Sequence, residues 1–368
     1  MGPEGTSVLT HLPLCRPAAL LVALCAVLML SAEAHAVRIN FTTQPECSEI
    51  GPDNTLARYT LSVVDDAGVP VRDVRLKYTL HAPPKNAFFS TDFPIVEGTP
   101  LMEADVVVPD GSMSFDYLTP IRGEYRLVVE AHSTAETAAF APVTDEIRYR
   151  IAENADEVRN GFLLFALLFG IGLTSGFVIA RPRFARPVLV TASLLLLFSM
   201  GSRDAWAHGQ KHGATPAGPA GGTTTSDSVA LSVDFEPDGG RVGEFVTIRG
   251  DVRDAAGQSL PGAKISIRLH HIEDDKTMYE GSFIAPGGRF EWKNQFFDGA
   301  EHRVFVTASP LVDGAFTPVT FESVIDVEAI DPPNAIIIRT WIFLVGLTAA
   351  GMACGTFLAR IGRSPRAA

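Results

Sequence analysis

The sequence predicts an all-β fold, with two immunoglobulin-like β-sandwich domains in tandem, each followed by a transmembrane α-helix, and a short additional apolar helix between the units. Three observations lead to this prediction: short segments that alternate apolar and polar residues, long apolar stretches that end in arginines, and an internal repeat that includes both. The chain of 368 residues is long enough for two such domains and their helices.

Alternating apolar and polar residues mark the predicted strands. Tyr59, Leu61 and Val63 are an example, and similar segments follow at short intervals, separated by Gly- and Pro-containing turns. Such strands have one face on a core, and without helical periodicity between them they indicate sandwiches of about 100 residues. We expect the first extracytoplasmic sandwich at residues 37–158 and the second at residues 229–333.

The two predicted sandwiches share a sequence pattern. Residues 64–81 resemble residues 252–270, with glycine at positions 68 and 257 and a Leu-His pair near the end of each segment. The similarity continues into the apolar stretches that follow. The sequence therefore predicts that a whole unit, sandwich plus helix plus arginine-rich stop, was duplicated.

Two apolar stretches have full membrane-spanning length. Residues 161–180 carry no charge, residues 336–359 form the second stretch, and arginines follow both. Because positive residues stay on the cytoplasmic side, we expect a cytoplasmic basic loop at residues 181–186 and a cytoplasmic tail at residues 360–368. Both large domains would then lie outside a bacterial cytoplasmic (inner) membrane.

Two further apolar segments resemble secretory leaders. Residues 1–36 combine an arginine, an apolar core and an A-x-A ending, and they are predicted to be a signal peptide. Residues 187–207 end in the same pattern, which leaves two interpretations: a short transmembrane helix, or an internal signal-like segment that is cut after Ala207 to release a chain beginning at His208. Residues 208–228, rich in Gly, Ala and Thr, are predicted to be a flexible linker.

Each long apolar stretch contains a pair of glycines four residues apart. Gly172 and Gly176 in the first stretch align with Gly351 and Gly355 in the second. Small residues at this spacing allow membrane helices to approach closely. We expect a helix–helix contact, either between the two spans or with a partner, including a homo-oligomer formed through the spans. The alternative is that glycine is simply common in membrane helices.

Copper is the candidate cofactor, because histidine and methionine are suitable copper ligands. If the chain is cut after Ala207, the new amino group and the imidazole of His208 can chelate one copper ion together. Further candidate metal ligands are His212, His302 and Met278.

Two arguments favour an ordinary structural or solvated role for the histidines. His270 and His271 are neighbours on a predicted strand, so their side chains point to opposite faces and cannot line one site. The position of His302 corresponds to Tyr125 in the first unit, which suits an ordinary strand side chain.

Charge and composition exclude several function classes. The formal net charge of −12 argues against a nucleic-acid partner. Of the four cysteines only Cys47 lies in a predicted exterior domain, so an intradomain disulfide and a cysteine-rich metal site are excluded. No catalytic motif is present, and we expect the chain not to be an enzyme.

The second predicted sandwich resembles a known family. The stretch D-x-A-G-x₅-A-x-I at residues 254–265, followed by 288–290 and 303–306, is similar to the YtkA-like family of exported β-sandwich domains, mainly over residues 228–330. Members of that family often occur near copper-handling and cytochrome-oxidase assembly proteins. The resemblance therefore implies an exported sandwich fold and a connection with copper.

The order of segments also resembles the periplasmic subunit of particulate methane monooxygenase, which has two sandwiches and two spans and begins its mature chain with histidine and glycine. Here the matching His208 and Gly209 precede the second sandwich, and a third apolar segment is added. From all of these patterns we expect a membrane-anchored extracytoplasmic binding or accessory module, a subunit of a larger membrane complex. The alternative is a periplasmic copper carrier or metallochaperone that uses an amino-terminal histidine at His208.

Overall fold

In the computed structural model strands are the main secondary structure of the described residues, and two long apolar helices accompany them. The described residues are 37–86, 90–134, 140–181, 221–226 and 228–361. The predicted signal peptide, the predicted short helix at 187–207, residues 362–368 of the predicted tail, and the candidate ligands His208 and His212 lie outside these residues.

Seven strands form the first half of the described chain, and their buried residues alternate with exposed ones as the sequence predicts. They are β1 (Val37–Gln44), β2 (Leu56–Asp65), β3 (Val74–His81), β4 (Pro100–Val108), β5 (Ser112–Leu118), β6 (Gly123–Ser133) and β7 (Val143–Ile151). Antiparallel pairing joins them into the series β1–β2–β5 and β4–β3–β6–β7.

The second half repeats this pairing and adds two short strands. Its strands are β8 (Gly222–Thr225), β9 (Val229–Glu236), β10 (Gly240–Arg241), β11 (Phe245–Asp254), β12 (Ala263–His271), β13 (Lys276–Ala285), β14 (Arg289–Gln295), β15 (Glu301–Ser309) and β16 (Val319–Glu328). The series are β8–β9–β11–β14 and β13–β12–β15–β16–β10. Apart from β8 and β10, β9 takes the place of β1, and β11–β16 take those of β2–β7.

The linker predicted at 208–228 extends too far, because its residues 222–225 form strand β8. Gly222–Thr225 pairs antiparallel with β9, and the hydroxyl of Thr223 donates to that of Ser232 at 3.3 Å. The composition of this segment is typical of a linker, but all four residues pair with β9, and threonine side chains suit an edge strand that exposes every second residue to solvent.

Strands of the two halves also pair with each other. In β4 and β14, Ala104 lies opposite Trp292 and Glu103 opposite Lys293. In β5 and β13, Tyr117 lies opposite Tyr279. The sixteen strands therefore form one curled sheet with two long runs, β7–β6–β3–β4–β14–β11–β9–β8 and β1–β2–β5–β13–β12–β15–β16–β10, each containing strands of both halves.

Aromatic rings join the two runs of strands across the core. Tyr78 in one run stacks on Phe115 in the other with ring centroids 5.6 Å apart, and Trp292 contacts Tyr279 at 4.5 Å. Phe115 also lies 6.0 Å from Tyr279. These rings are almost fully buried and come from both halves, so one continuous hydrophobic core passes through the junction.

Two helices follow the two halves. Helix α1 (Ala155–Ala180) comes directly after β7, and helix α2 (Asn334–Ile361) comes shortly after β16. Both begin earlier than the predicted spans at 161–180 and 336–359. The side chain of Asn154 accepts a hydrogen bond from the Asp156 amide at 3.0 Å, which caps α1 and allows a polar first turn ahead of the apolar stretch. Both helices are long and apolar enough to cross a membrane.

Candidate functional site

The contact between the two helices is built on the four predicted glycines. A Cβ atom added to Gly172 would overlap the carbonyl oxygen of Thr348, and one added to Gly176 would overlap that of Met352. Only glycine therefore allows the two backbones to lie at this separation.

The second helix contributes its glycines in the same way. A Cβ atom on Gly351 would overlap the carbonyl oxygen of Phe169, and one on Gly355 would overlap that of Leu173. Along the contact, residue numbers increase in the same direction in both helices, so the helices are parallel. Of the two predicted partners for these glycines, the structure places the second helix of the same chain against the first.

Contacts at both ends extend the helix pair. Near the start of the helices, Phe165 packs on Phe343 with ring centroids 5.2 Å apart. At the far end, Nε of Arg181 donates to the carbonyl oxygen of Ala359 at 3.3 Å. At the sheet end of α2, the guanidinium of Arg339 donates to the hydroxyl of Ser90 at 3.0 Å, which ties this helix to a loop of the first half.

Large apolar side chains cover the outer faces of the helix pair. They include Phe162, Leu163, Leu167, Ile179, Trp341, Ile342, Val345, Phe357 and Leu358, all of them exposed. An apolar surface of this extent is unfavourable in water and suits a hydrocarbon environment.

The predicted ligand His302 lies in the core of the second half. It is completely buried, and its Nδ1 donates to the carbonyl oxygen of Ala300 at 2.9 Å. Burial lowers the pKa of His302 to about 3, with the neighbouring His271 adding to the effect, so the imidazole is neutral near pH 7. Its Nε2 has no hydrogen-bond partner among the described residues.

His271 lies beside His302 because β12 and β15 pair in a register that places them opposite each other. Its Nδ1 accepts a hydrogen bond from the Asp274 amide at 3.1 Å, and its Nε2 lies 3.5 Å from the carboxylate of Asp298. Burial alone would lower the pKa of His271, but the adjacent carboxylate of Asp298, together with nearby Asp274 and Glu273, raises it above its usual value.

The described residues do not bring together the predicted copper ligands. Met278 is buried in β13 as a core residue, and His302 already donates through Nδ1. Within the described ranges, no three His, Cys, Asp or Glu side chains are close enough to hold a metal ion. The remaining candidates, His208 and His212, lie outside those ranges.

Side chains reinforce the strand pairing between the halves. The hydroxyl of Thr99 donates to Oε1 of Gln295 at 2.8 Å, and Nζ of Lys293 donates to the carboxylate of Glu103 at 3.0 Å. On the other side of the junction, Nζ of Lys276 donates to the carbonyl oxygen of Asp53 at 3.3 Å. Sequence reasoning missed this junction, because the aromatic residues of β5 and β13 lie on one face of each strand, as in an ordinary half-buried strand.

An open groove crosses the outside of the same junction. Arg75 and Asp105 of the first half line it together with Arg249, Arg289 and Glu291 of the second. Arg75 pairs with Asp105 at 2.7 Å, and Arg249 pairs with Glu291 at 3.0 Å. Because most of these charges are already paired, the groove favours neither an anionic nor a cationic ligand.

No protein-family model matches the sequence, and no curated protein matches it. Among solved structures, 80% of the chain is similar to Salmonella alpha-2-macroglobulin reacted with methylamine, at 10% identity and a TM-score of 0.24, and it spans 15% of that protein. Invasin, a bacterial integrin-binding protein, is similar over 82% of this chain and 40% of its own, at 8% identity and a TM-score of 0.20. The Escherichia coli adhesin FdeC is similar over 79% of this chain and 65% of its own, at 10% identity and a TM-score of 0.19.

These TM-scores are low, so no function follows from the similarities. The neighbours named above are not YtkA-like proteins or methane monooxygenase subunits, and both of those resemblances stay predictions.

Proposed function

We propose that this protein is a membrane-anchored accessory module, a non-enzymatic subunit of a larger membrane complex in the bacterial inner membrane. Its two halves are immunoglobulin-like sandwiches in tandem, derived from one duplicated unit, and both lie on the extracytoplasmic side. The single observation that carries the proposal is the pair of parallel helices, packed through Gly172, Gly176, Gly351 and Gly355, with large apolar side chains on the outside.

The parallel arrangement supports one orientation for both helices. Each begins next to the last strand of its half, and the strand halves are paired with each other, so both helices leave the same end of the sheet structure. Arg181 follows the first helix and Arg360 lies in the last turn of the second, as expected for cytoplasmic flanks. In this topology residues 187–207 return the chain across the membrane, unless it is cut after Ala207.

The end of the sheet structure opposite the helices is the surface that we assign to the partner. Because β7 and β16 run toward the helices, the turns before β3 and β16 lie at the far end. These turns expose Val69, Leu311 and Val312, with Val312 73% exposed. Exposed apolar side chains at the end farthest from a membrane are suited to contact with another extracytoplasmic protein.

Cysteine labelling in intact cells tests the topology. In a chain whose own cysteines are replaced, Val312→Cys should react with a membrane-impermeant maleimide, whereas Ser364→Cys should react only after the membrane is permeabilised. Labelling of Ser364→Cys in intact cells would contradict the proposed orientation.

Crosslinking in native membranes tests the accessory role. The tagged chain should be crosslinked to a specific membrane-complex subunit, and the double change Leu311→Asp with Val312→Asp should remove that product. The matched control is Glu322→Gln, an exposed change on the side of β16 rather than at its tip. A crosslinked product that persists in the double variant would rule out the tip as the partner surface.

A further inference from the structure

The junction between the halves has an approximate twofold relationship. Strand β4 of the first half pairs with β14 of the second, and β5 of the first pairs with β13 of the second. Strands β4 and β13 occupy equivalent places in their halves, and so do β5 and β14. Each half therefore presents the same two strands to the other, which is the arrangement of a symmetric dimer interface.

The junction is also packed as a protein core. Tyr279 is only 1% exposed and contacts both Trp292 of its own half and Phe115 of the other. A separate pair of rings also crosses the junction: Phe93 of the first half packs on Phe297 of the second with centroids 5.2 Å apart. Separation of the halves would expose these rings and leave the backbone groups of four strand edges without partners.

Polar contacts at the rim fix the register of the junction. Lys293 faces Glu103 directly across β14 and β4, and their side chains form an ion pair. Thr99 and Gln295 form a second cross-half hydrogen bond, and Gln295 is buried. A buried polar group that needs a partner from the other half penalises any slipped or separated arrangement.

We propose that this junction is an assembly surface, and that it holds residues 37–181 and 221–361 together without the chain that connects them. Each half is then the binding partner of the other, and a cut in the connection leaves a non-covalent complex of two chains. The inference goes beyond the accessory role and does not depend on the orientation in the membrane.

The test uses the full chain with a site-specific protease sequence inserted between Gly213 and Ala214 and an affinity tag at the carboxyl terminus. After purification in detergent, the chain is cut to completion and captured through the tag. We expect the first-half fragment to be retained in an equimolar amount. Release of that fragment from the cut wild-type protein would overturn the proposal.

One variant separates the strands from the helices. Gly176→Leu should disrupt the helix contact, since its side chain would meet the Met352 backbone, and Gly176 lies outside the strands of the junction. The cut Gly176→Leu protein should therefore still retain its first-half fragment. If the fragment is released in this variant, the strands do not suffice and the proposal fails.

Variants at the junction test the surface itself. A Cβ atom on Gly281 would overlap the Tyr279 ring and approach Cβ of Phe115, so Gly281→Val should release the fragment, whereas Ser282→Val on the other face of β13 should not.

A charge exchange across the junction tests the same surface if Gly281→Val fails to fold. Lys293→Glu places like charges opposite each other and should speed release of the fragment about fivefold, and the added change Glu103→Lys should restore retention. Equal release rates in all three proteins would contradict the assigned surface.

Discussion

The imidazole rings of His271 and His302 pack edge to face inside the second half, with centroids 5.0 Å apart. The two neighbours have opposite electrostatic surroundings. His302 is buried beside a backbone carbonyl, whereas His271 faces the carboxylate of Asp298. One histidine therefore has a lowered pKa and the other a raised pKa, and the two make opposite contributions to the dependence of stability on pH.

His302 should make the protein less stable in acid. Because its pKa in the folded protein is about 3, below the usual value, the unfolded chain binds a proton that the folded protein does not. This contribution to stability is complete above about pH 6.5 and falls by about 1.4 kcal/mol per pH unit below it. His302→Phe should remove this slope, measured as the unfolding midpoint between pH values of about 4.5 and 7.5.

An exposed histidine serves as the control for that experiment. His132→Phe removes a histidine whose side chain is 45% exposed and leaves the contacts of His302 intact. Equal slopes in His302→Phe and the wild-type protein would mean that His302 does not stay neutral in the folded protein.

Asp298 should have the opposite pH signature. Its carboxylate raises the pKa of His271, so this pair contributes stability that is present below the unfolded pKa of histidine and is lost as the pH rises through the folded value. Asp298→Asn should therefore cost more stability at a pH of about 6 than at a pH of about 8.5. A loss that is the same at both values would show that Asp298 acts through contacts other than His271.

The sequence predicted the strands and the helices well because their signals are local. Alternation along β2 and β12 follows the burial seen in the structure, including His271 buried and His270 half-exposed on opposite faces. The pairing of His271 with His302, by contrast, depends on the register between two strands about 30 residues apart along the chain. The sequence pattern of either strand alone does not contain that register.

The junction between the halves was not predictable for a similar reason. The sequence of each half alone is typical of a complete sandwich. The alternation of apolar and polar residues along β4 or β14 does not indicate which strand edge stays unpaired within its half and pairs with the other half. The glycines of the helices were more informative, since a glycine at the same position of both repeats has a direct steric meaning. Local steric requirements can be predicted from sequence, whereas edge-to-edge pairing depends on the assembled fold.

The helix contact should depend on the paired glycines. With Phe165→Cys and Phe343→Cys in a chain that has no other cysteine, a bismaleimide that spans the space left by the two rings should crosslink the helices, because those rings are in contact. Adding Gly176→Leu should reduce the crosslink severalfold, since its side chain would displace the Met352 backbone. The matched control is Gly170→Leu, which meets nothing within 4 Å and should not change the yield. Equal yields in both leucine variants would contradict the contact.

The hydroxyl of Tyr125 should stabilise the first half through the backbone of Ile121. It donates to the Ile121 carbonyl at 2.6 Å and accepts from the Ile121 amide at 3.1 Å, both buried, in the manner of a tyrosine corner at the start of a strand. Tyr125→Phe leaves both backbone groups without a partner and should lower the free energy of unfolding by about 1–3 kcal/mol. Tyr117→Phe is the control, because the buried Tyr117 hydroxyl has no hydrogen-bond partner among the described residues, and its removal should be neutral or slightly stabilising. Urea unfolding of both variants in detergent measures the difference, and equal losses would show that the two hydroxyls contribute alike and that the corner adds nothing.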